Sequence, residues 1–163
     1  MRFKIGLGLL VVATVSFGIG RTTADGRSKL DPKTEENLQT AMHGEAFAYA
    51  KYMLYAKHAR ATHHPEIADL FESAAQTERL QHFAEEAELQ GLVGSDAENL
   101  EGAIKGESYE VETMYLEFTH QAQMTGDKAA ADRFEEIRHD EMGHRDAFKA
   151  ALEKLNATSA AGD

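Results

Sequence analysis

Glu36-Asn37-Leu38-Gln39-Thr40-Ala41-Met42-His43-Gly44-Glu45 returns 62 residues later as Glu98-Asn99-Leu100-Glu101-Gly102-Ala103-Ile104-Lys105-Gly106-Glu107. A second stretch, Ala68-Asp69-Leu70-Phe71-Glu72, returns 63 residues later as Ala131-Asp132-Arg133-Phe134-Glu135. A chain that restates itself at such a period is built from two related units. Around the repeats, apolar residues recur at the i, i+3, i+4, i+7 spacing of amphipathic helices. Leu38, Ala41, Met42, Tyr49, Tyr52 and Ala56 mark a first helix over about 34–63, and Ile67, Phe71, Ala74, Ala75 and Leu89 a second, which Pro65 opens and Gly91 closes. Ser95-Asp96-Ala97-Glu98 has the pattern of a capping box before a third, with Leu100, Ile104, Val111, Met114 and Phe118 inward as far as Gly126. A fourth, roughly 127–156, buries Phe134, Ile137, Phe148, Leu152 and Leu155. The expected fold is all-α: an antiparallel four-helix bundle made of two repeated helical hairpins, joined by a longer connection from about Gly91 to Glu98. Duplication argues for the fold and is silent on chemistry.

The flanks read differently. Arg2 and Lys4, an apolar run from Ile5 to about Gly20 and the small-residue exit Thr22-Thr23-Ala24 predict a signal peptide over residues 1–24. The alternative is an uncleaved membrane anchor, for which Gly6, Gly8, Gly18 and Gly20 are poor material. The expected location is therefore exported, in the periplasm, or membrane-anchored without cleavage. Residues 25–33 read as a polar linker, 34–156 as the bundle and 157–163 as a disordered tail. Without residues 1–24 the chain keeps 14 basic against 28 acidic side chains, a net charge of −14. Such a surface repels phosphate backbones, so nucleic acid is not an expected partner. The sequence holds no cysteine, which excludes disulfides, thiolate zinc sites, iron–sulfur clusters and cysteine nucleophiles. Any metal must be held by Glu, Asp or His.

With 19 Glu and 8 His, a lone Glu-x-x-His carries little weight, and three occur. Placement at about 100° per residue separates them. Glu141 and His144 fall within the apolar stripe of the fourth helix, whereas Glu136 and His139 point the other way. Glu117 sits at a stripe's flank and His120 outside it. Glu107 and Glu110 lie inside the stripe of the third helix, Glu45 between Leu38, Met42, Tyr49 and Tyr52, and Glu78 between Phe71, Ala74, Ala75 and Leu89. The repeat independently pairs Glu45 with Glu107 and Glu78 with Glu141. Every helix thus aims a glutamate at the core. Buried unpaired carboxylates cost many kcal/mol, and no lysine or arginine lies centrally on these stripes to offset them. Two divalent metals would, and one Glu from each of two helices plus Glu-x-x-His from the others is the constellation of di-iron carboxylate bundles. Oxygen and imidazole ligands suit iron or manganese, with zinc left open.

From about Thr34 to Leu155 the sequence resembles the ferritin-like domain of rubrerythrins. Gly106-Glu107-Ser108-Tyr109-Glu110, running on to Met114-Tyr115-Leu116-Glu117-Phe118, is similar to the family's third helix. The resemblance maps metal ligands onto Glu45, Glu78, Glu107, Glu110, Glu141 and His144, and two tyrosines that would hydrogen-bond ligand carboxylates onto Tyr52 and Tyr115. Two departures stand out. The family's second helix carries Glu-x-x-His, but here Gln81 follows Glu78 by three residues and His82 by four. Either a local helical bulge brings His82 to the metal, or Gln81 faces the site and Glu110 compensates. The other departure is that, without cysteine, no thiolate-bound iron centre in this sequence can feed electrons to the site.

The resemblance implies a di-iron oxidoreductase that reduces hydrogen peroxide with an external electron donor, as a homodimer, with Glu110 the mobile ligand. Two rival readings are a ferroxidase or iron-binding protein using dioxygen, and a non-catalytic interaction bundle of the cell envelope.

Overall fold

A computed structural model of the chain describes residues 30–160, which form four helices and, among them, no strand. Helix α1 is Pro32–Ala61. Helix α2 covers residues 65–90 as Pro65–Thr77, a π-helical turn Glu78–His82, and Phe83–Gln90. Helix α3 covers residues 96–125 as Asp96–Tyr109, a π turn Glu110–Met114, and Tyr115–Thr125. Helix α4 is Lys128–Ala160. The chain divides between Phe83 and Ala84 into two compact units. The expected signal segment 1–24, the linker as far as residue 29 and residues 161–163 lie outside the described residues. Among the described residues no helix is long and apolar enough to cross a membrane.

Two boundaries differ from expectation. Helix α1 starts at Pro32, inside the expected linker, because Asp31 caps it by accepting a hydrogen bond from the Lys33 amide at 2.8 Å. Residues 157–160, expected in a disordered tail, continue α4. No Gly or Pro interrupts them, and the Thr158 and Ser159 hydroxyls donate to the Leu155 carbonyl at 2.7 and 3.1 Å.

In the first unit α1 and α2 form a hairpin whose tightest packing is small: Ala56, Ala59 and Ala68 are buried together with Phe71 against them. The packing line of α2 runs through Ala68 and Ala75, so Ile67, expected inward, is exposed. Leu89, in the end of α2 that falls in the second unit, is exposed as well, near buried Ala87 in sequence. Arg60 clasps the hairpin by donating to both Glu72 oxygens, at 2.9 and 2.7 Å, and to Asp69 at 2.8 Å. Bonding to Arg60 lowers the Glu72 pKa. The clasp therefore contributes fully above the ordinary glutamate range and is lost as pH falls through the lowered value.

In the second unit α3 and α4 form the matching hairpin, and the duplication is visible in its details. Ser95 and Glu98 make the expected capping box, and left-handed Gly91 ends α2. Tyr52, Tyr55 and Phe71 cluster at 5.3–6.4 Å between ring centroids, and Tyr115, Phe118 and Phe134, each 63 residues on, cluster at 5.6–6.2 Å. At the hairpin turns Thr62 and Thr125 each donate to two carbonyls of the preceding turn. The residue after each is left-handed: Gly126 at φ 81° and His63 at φ 62°.

Only the second turn uses the residue suited to that conformation. A side chain at positive φ costs roughly 1–2 kcal/mol, which glycine avoids at some expense in unfolded-chain entropy. His63→Gly is expected to raise the thermal midpoint by about 2–4 °C, the equivalent of about 1 kcal/mol in a chain of this size. A lowered midpoint in a calorimetric scan would show that His63 is held there by more than geometry.

Candidate metal centre

Both π turns begin at a glutamate the sequence singles out. In α2 the Phe83 amide donates to the Glu78 carbonyl, and in α3 the Tyr115 amide donates to the Glu110 carbonyl. The repeat explains their placement. Glu45 and Glu107 stand 62 residues apart but Tyr52 and Tyr115 stand 63 apart, so one residue has been added after Glu107. Glu78 and Glu141 stand 63 apart but His82 and His144 stand 62 apart, so one has been added after Glu78. A π turn absorbs an inserted residue without turning the rest of the helix off its face. In an unbroken α-helix Tyr115, eight residues after Glu107, would be rotated from it by about 80°. Instead Glu107 joins Glu141, and the Tyr115 ring packs 6.2 Å from Phe134, both partners lying on α4.

Two carboxylate–histidine groups result, one in each unit. Glu45, Glu78 and His82 present ligand atoms all within 4.8 Å of one another, and so do Glu107, Glu141 and His144. In the first group His82 Nδ1 lies 2.7 Å from Glu78 Oε2 and 3.9 Å from Glu45 Oε2. Gln81 is exposed and outside the group. In the second, His144 Nδ1 lies 2.6 Å from Glu141 Oε2. The side chains of Glu78 and Glu141 are each 17% exposed, whereas Glu136 is 67% exposed and pairs with Arg133 at 3.0 Å. Glu117, His120 and His139 are exposed too.

Electrostatics in the second group favour a cation. Burial raises the Glu107 pKa, and a hydrogen bond to Glu141 and the charges of Glu141 and Glu110 raise it further. Bonding to Glu141 raises the His144 pKa, so this group stores protons that a metal would displace. Glu107 Oε2 is buried with no hydrogen-bond partner, an acceptor suited to a cation. Burial raises the Tyr115 pKa, with the charges of Glu110 and Glu141 adding to it, so the phenol stays protonated beside both. Tyr52 sits in the equivalent aromatic cluster of the first hairpin, with the Lys51 ammonium 5.2 Å from its ring centre. Glu110, partly buried at the head of its π turn, has no glutamate counterpart in the first hairpin, where the repeat places Ala48. The displaced histidine after Glu78 signals the first bulge in the sequence. The second is legible in the same change of repeat interval.

An all-α chain with two such groups is a metal-binding helical protein of the ferritin-like class. The family model described as rubrerythrin matches residues 36–82 and 76–152. Nigerythrin of Nitratidesulfovibrio vulgaris is 33% identical over 138 residues, 76% of this chain and 68% of that protein. Rubrerythrin of Porphyromonas gingivalis is 32% identical over 146 residues, 82% of this chain and 73% of that protein. A solved structure titled as the fully reduced, all-ferrous state of nigerythrin is 30% identical, covers 96% of this chain and 82% of its own, and superposes with a TM-score of 0.40. The chain belongs to the rubrerythrin family. That membership implies a pair of iron ions, and the oxygen and imidazole donors of the two groups fit such ions.

Loss of even a residue that only supports a ligand typically weakens metal binding about 10–100-fold. Glu141→Ala and His82→Ala are each expected to weaken ferrous or cobaltous binding by at least about tenfold on that scale, while Glu136→Ala and Gln81→Ala leave it near wild type. Titration of the four purified variants checks this. Equal losses from Glu141→Ala and Glu136→Ala, or from His82→Ala and Gln81→Ala, would contradict the assignment.

Proposed function

We propose that this protein reduces hydrogen peroxide to water at a di-iron centre held by Glu45, Glu78, His82, Glu107, Glu110, Glu141 and His144, with electrons from an external donor. The observation that carries this reading is the pair of carboxylate–histidine groups in a rubrerythrin-family chain, with Glu110 as an extra carboxylate beside the second. When bound, the reduced metal pair supplies the two electrons that, with two protons, convert one peroxide into two waters. The protein's part is to bind and orient. His82 and His144 each bond a glutamate of their own helix, at 2.7 and 2.6 Å, which fixes the imidazoles for a cation in place of the shared protons. Glu110 lies close enough to raise the Glu107 pKa, so its carboxylate would be available as a further, mobile ligand to an ion held by the second group. Tyr115, kept protonated, can donate a hydrogen bond to a ligand carboxylate or to bound peroxide. Residues 1–24 support a place outside the cytoplasm, in the periplasm or, without cleavage, anchored to the membrane, and the family resemblance supports a homodimer that a separate reductant must reach.

Stopped-flow mixing of the ferrous-loaded chain with peroxide and, separately, with dioxygen tests the reaction. Peroxide is expected to oxidise the iron many times faster than dioxygen at the same concentration, and over repeated cycles of chemical reduction. Oxidation at least as fast by dioxygen, with ferric iron accumulating in the protein, would favour iron handling over peroxide reduction.

A further inference from the structure

Each π turn is tied to the other helix of its own hairpin by an arginine, through different chemistry in the two hairpins. In the second, Arg145 Nη1 of α4 donates to Glu112 Oε1 at 3.3 Å, and its Nε to Asp146 Oδ1 at 3.2 Å. Glu112 is the middle residue of the π turn Glu110–Met114. The Arg145 side chain is only 15% exposed, whereas Glu112 is 67% exposed. In the first hairpin Arg79, inside the π turn Glu78–His82, holds its guanidinium 5.6 Å from the Tyr49 ring centre on α1. The anchors are not repeat-mates but share a spacing: Arg145 lies four residues after Glu141 and Tyr49 four after Glu45, one helical turn beyond a candidate ligand in each case.

The need for such a tie follows from backbone chemistry. Successive peptide units offer the same donor and acceptor, so the extra residue of a π turn can sit at neighbouring registers at little cost in main-chain hydrogen bonds. Each shift by one residue turns the intervening side chain by about 100°. Glu110 and His82 keep their directions only if something besides the main chain fixes the bulge. We propose that Arg145, through Glu112, and Arg79, through Tyr49, are positioning residues that pin the two π turns and so aim Glu110 and His82. The consequence for metal binding rests on the site reading above, whereas the pinning itself does not.

Amide hydrogen exchange of the metal-free full chain, followed at Tyr115 and Phe83 by NMR, reads the pins directly. Glu112 is exposed, so Glu112→Gln leaves the fold intact, and loss of a single ion pair of this kind is expected to speed Tyr115 exchange about two- to fivefold with Phe83 unchanged. Arg79→Met is expected to do the reverse, speeding Phe83 alone. The double variant Arg145→Glu with Glu112→Arg restores the Tyr115 rate, and high salt given to the wild type mimics Glu112→Gln. Cobaltous affinity falls by a similar factor in each single variant and recovers in the charge-reversed pair. Unchanged Tyr115 exchange in Glu112→Gln, acceleration spread evenly over α3 and α4, or no recovery in the charge-reversed pair overturns the proposal. Altered exchange with unaltered cobalt affinity overturns the positioning role. Exchange that responds as expected in a chain that binds no cobalt upholds the pins and removes the metal reading instead.

Discussion

Carboxylates packed beside one another cannot all stay ionised without a cation, and the arrangement of this chain answers to that constraint. Burial and the neighbouring Glu141 and Glu110 raise the cost of ionising Glu107, which also carries a buried oxygen with no hydrogen-bond partner. In a helix of this kind an apolar side chain would pack such positions more stably. The glutamates are therefore explained by what they hold. In the second group the bond of His144 to Glu141 raises the imidazole pKa and so offsets part of this repulsion with a proton, and a divalent ion would do the same more strongly.

The same constraint accounts for the departures from helical regularity. Two hairpins from one duplication would carry the same residues at one constant interval, and several features do so: the aromatic clusters, the threonines at the turns, and buried Ala59 and Ala68 with Ala122 and Ala131 all correspond. The interval changes in two places, just after Glu78 and just after Glu107, both candidate ligands. Each change is an inserted residue absorbed as a π turn, one in α2 and the other in α3. Elsewhere too the hairpins diverge: left-handed His63 has Gly126 as its counterpart in the repeat, and Arg60, which clasps the first hairpin, has Gln123.

Much of this was legible in the amino-acid sequence because the two strongest signals, a period of 3.6 and a repeat of about 62 residues, survive without knowledge of tertiary packing. They separate Glu141 from Glu136, which the structure leaves partly buried and exposed respectively. They are weaker where geometry departs from 100° per residue. Four-residue spacing left Gln81 and His82 as alternatives, and only the π turn brings His82 to Glu78. The packing line of α2, shifted by one residue from Ile67 to Ala68, was hidden because alanine and isoleucine both read as apolar. The clasp of Arg60 on Glu72 and Asp69 was not visible either, since it joins residues across a turn whose shape depends on a left-handed histidine.

Anomalous diffraction from crystals of the iron-loaded protein tests the central claim most directly. The account predicts two iron peaks about 3.5–4 Å apart, the separation of two-metal sites, bordered by Glu45, Glu78 and His82 and by Glu107, Glu141 and His144. A single peak, or iron bound at Glu136 and His139 with these six residues bare, would contradict it.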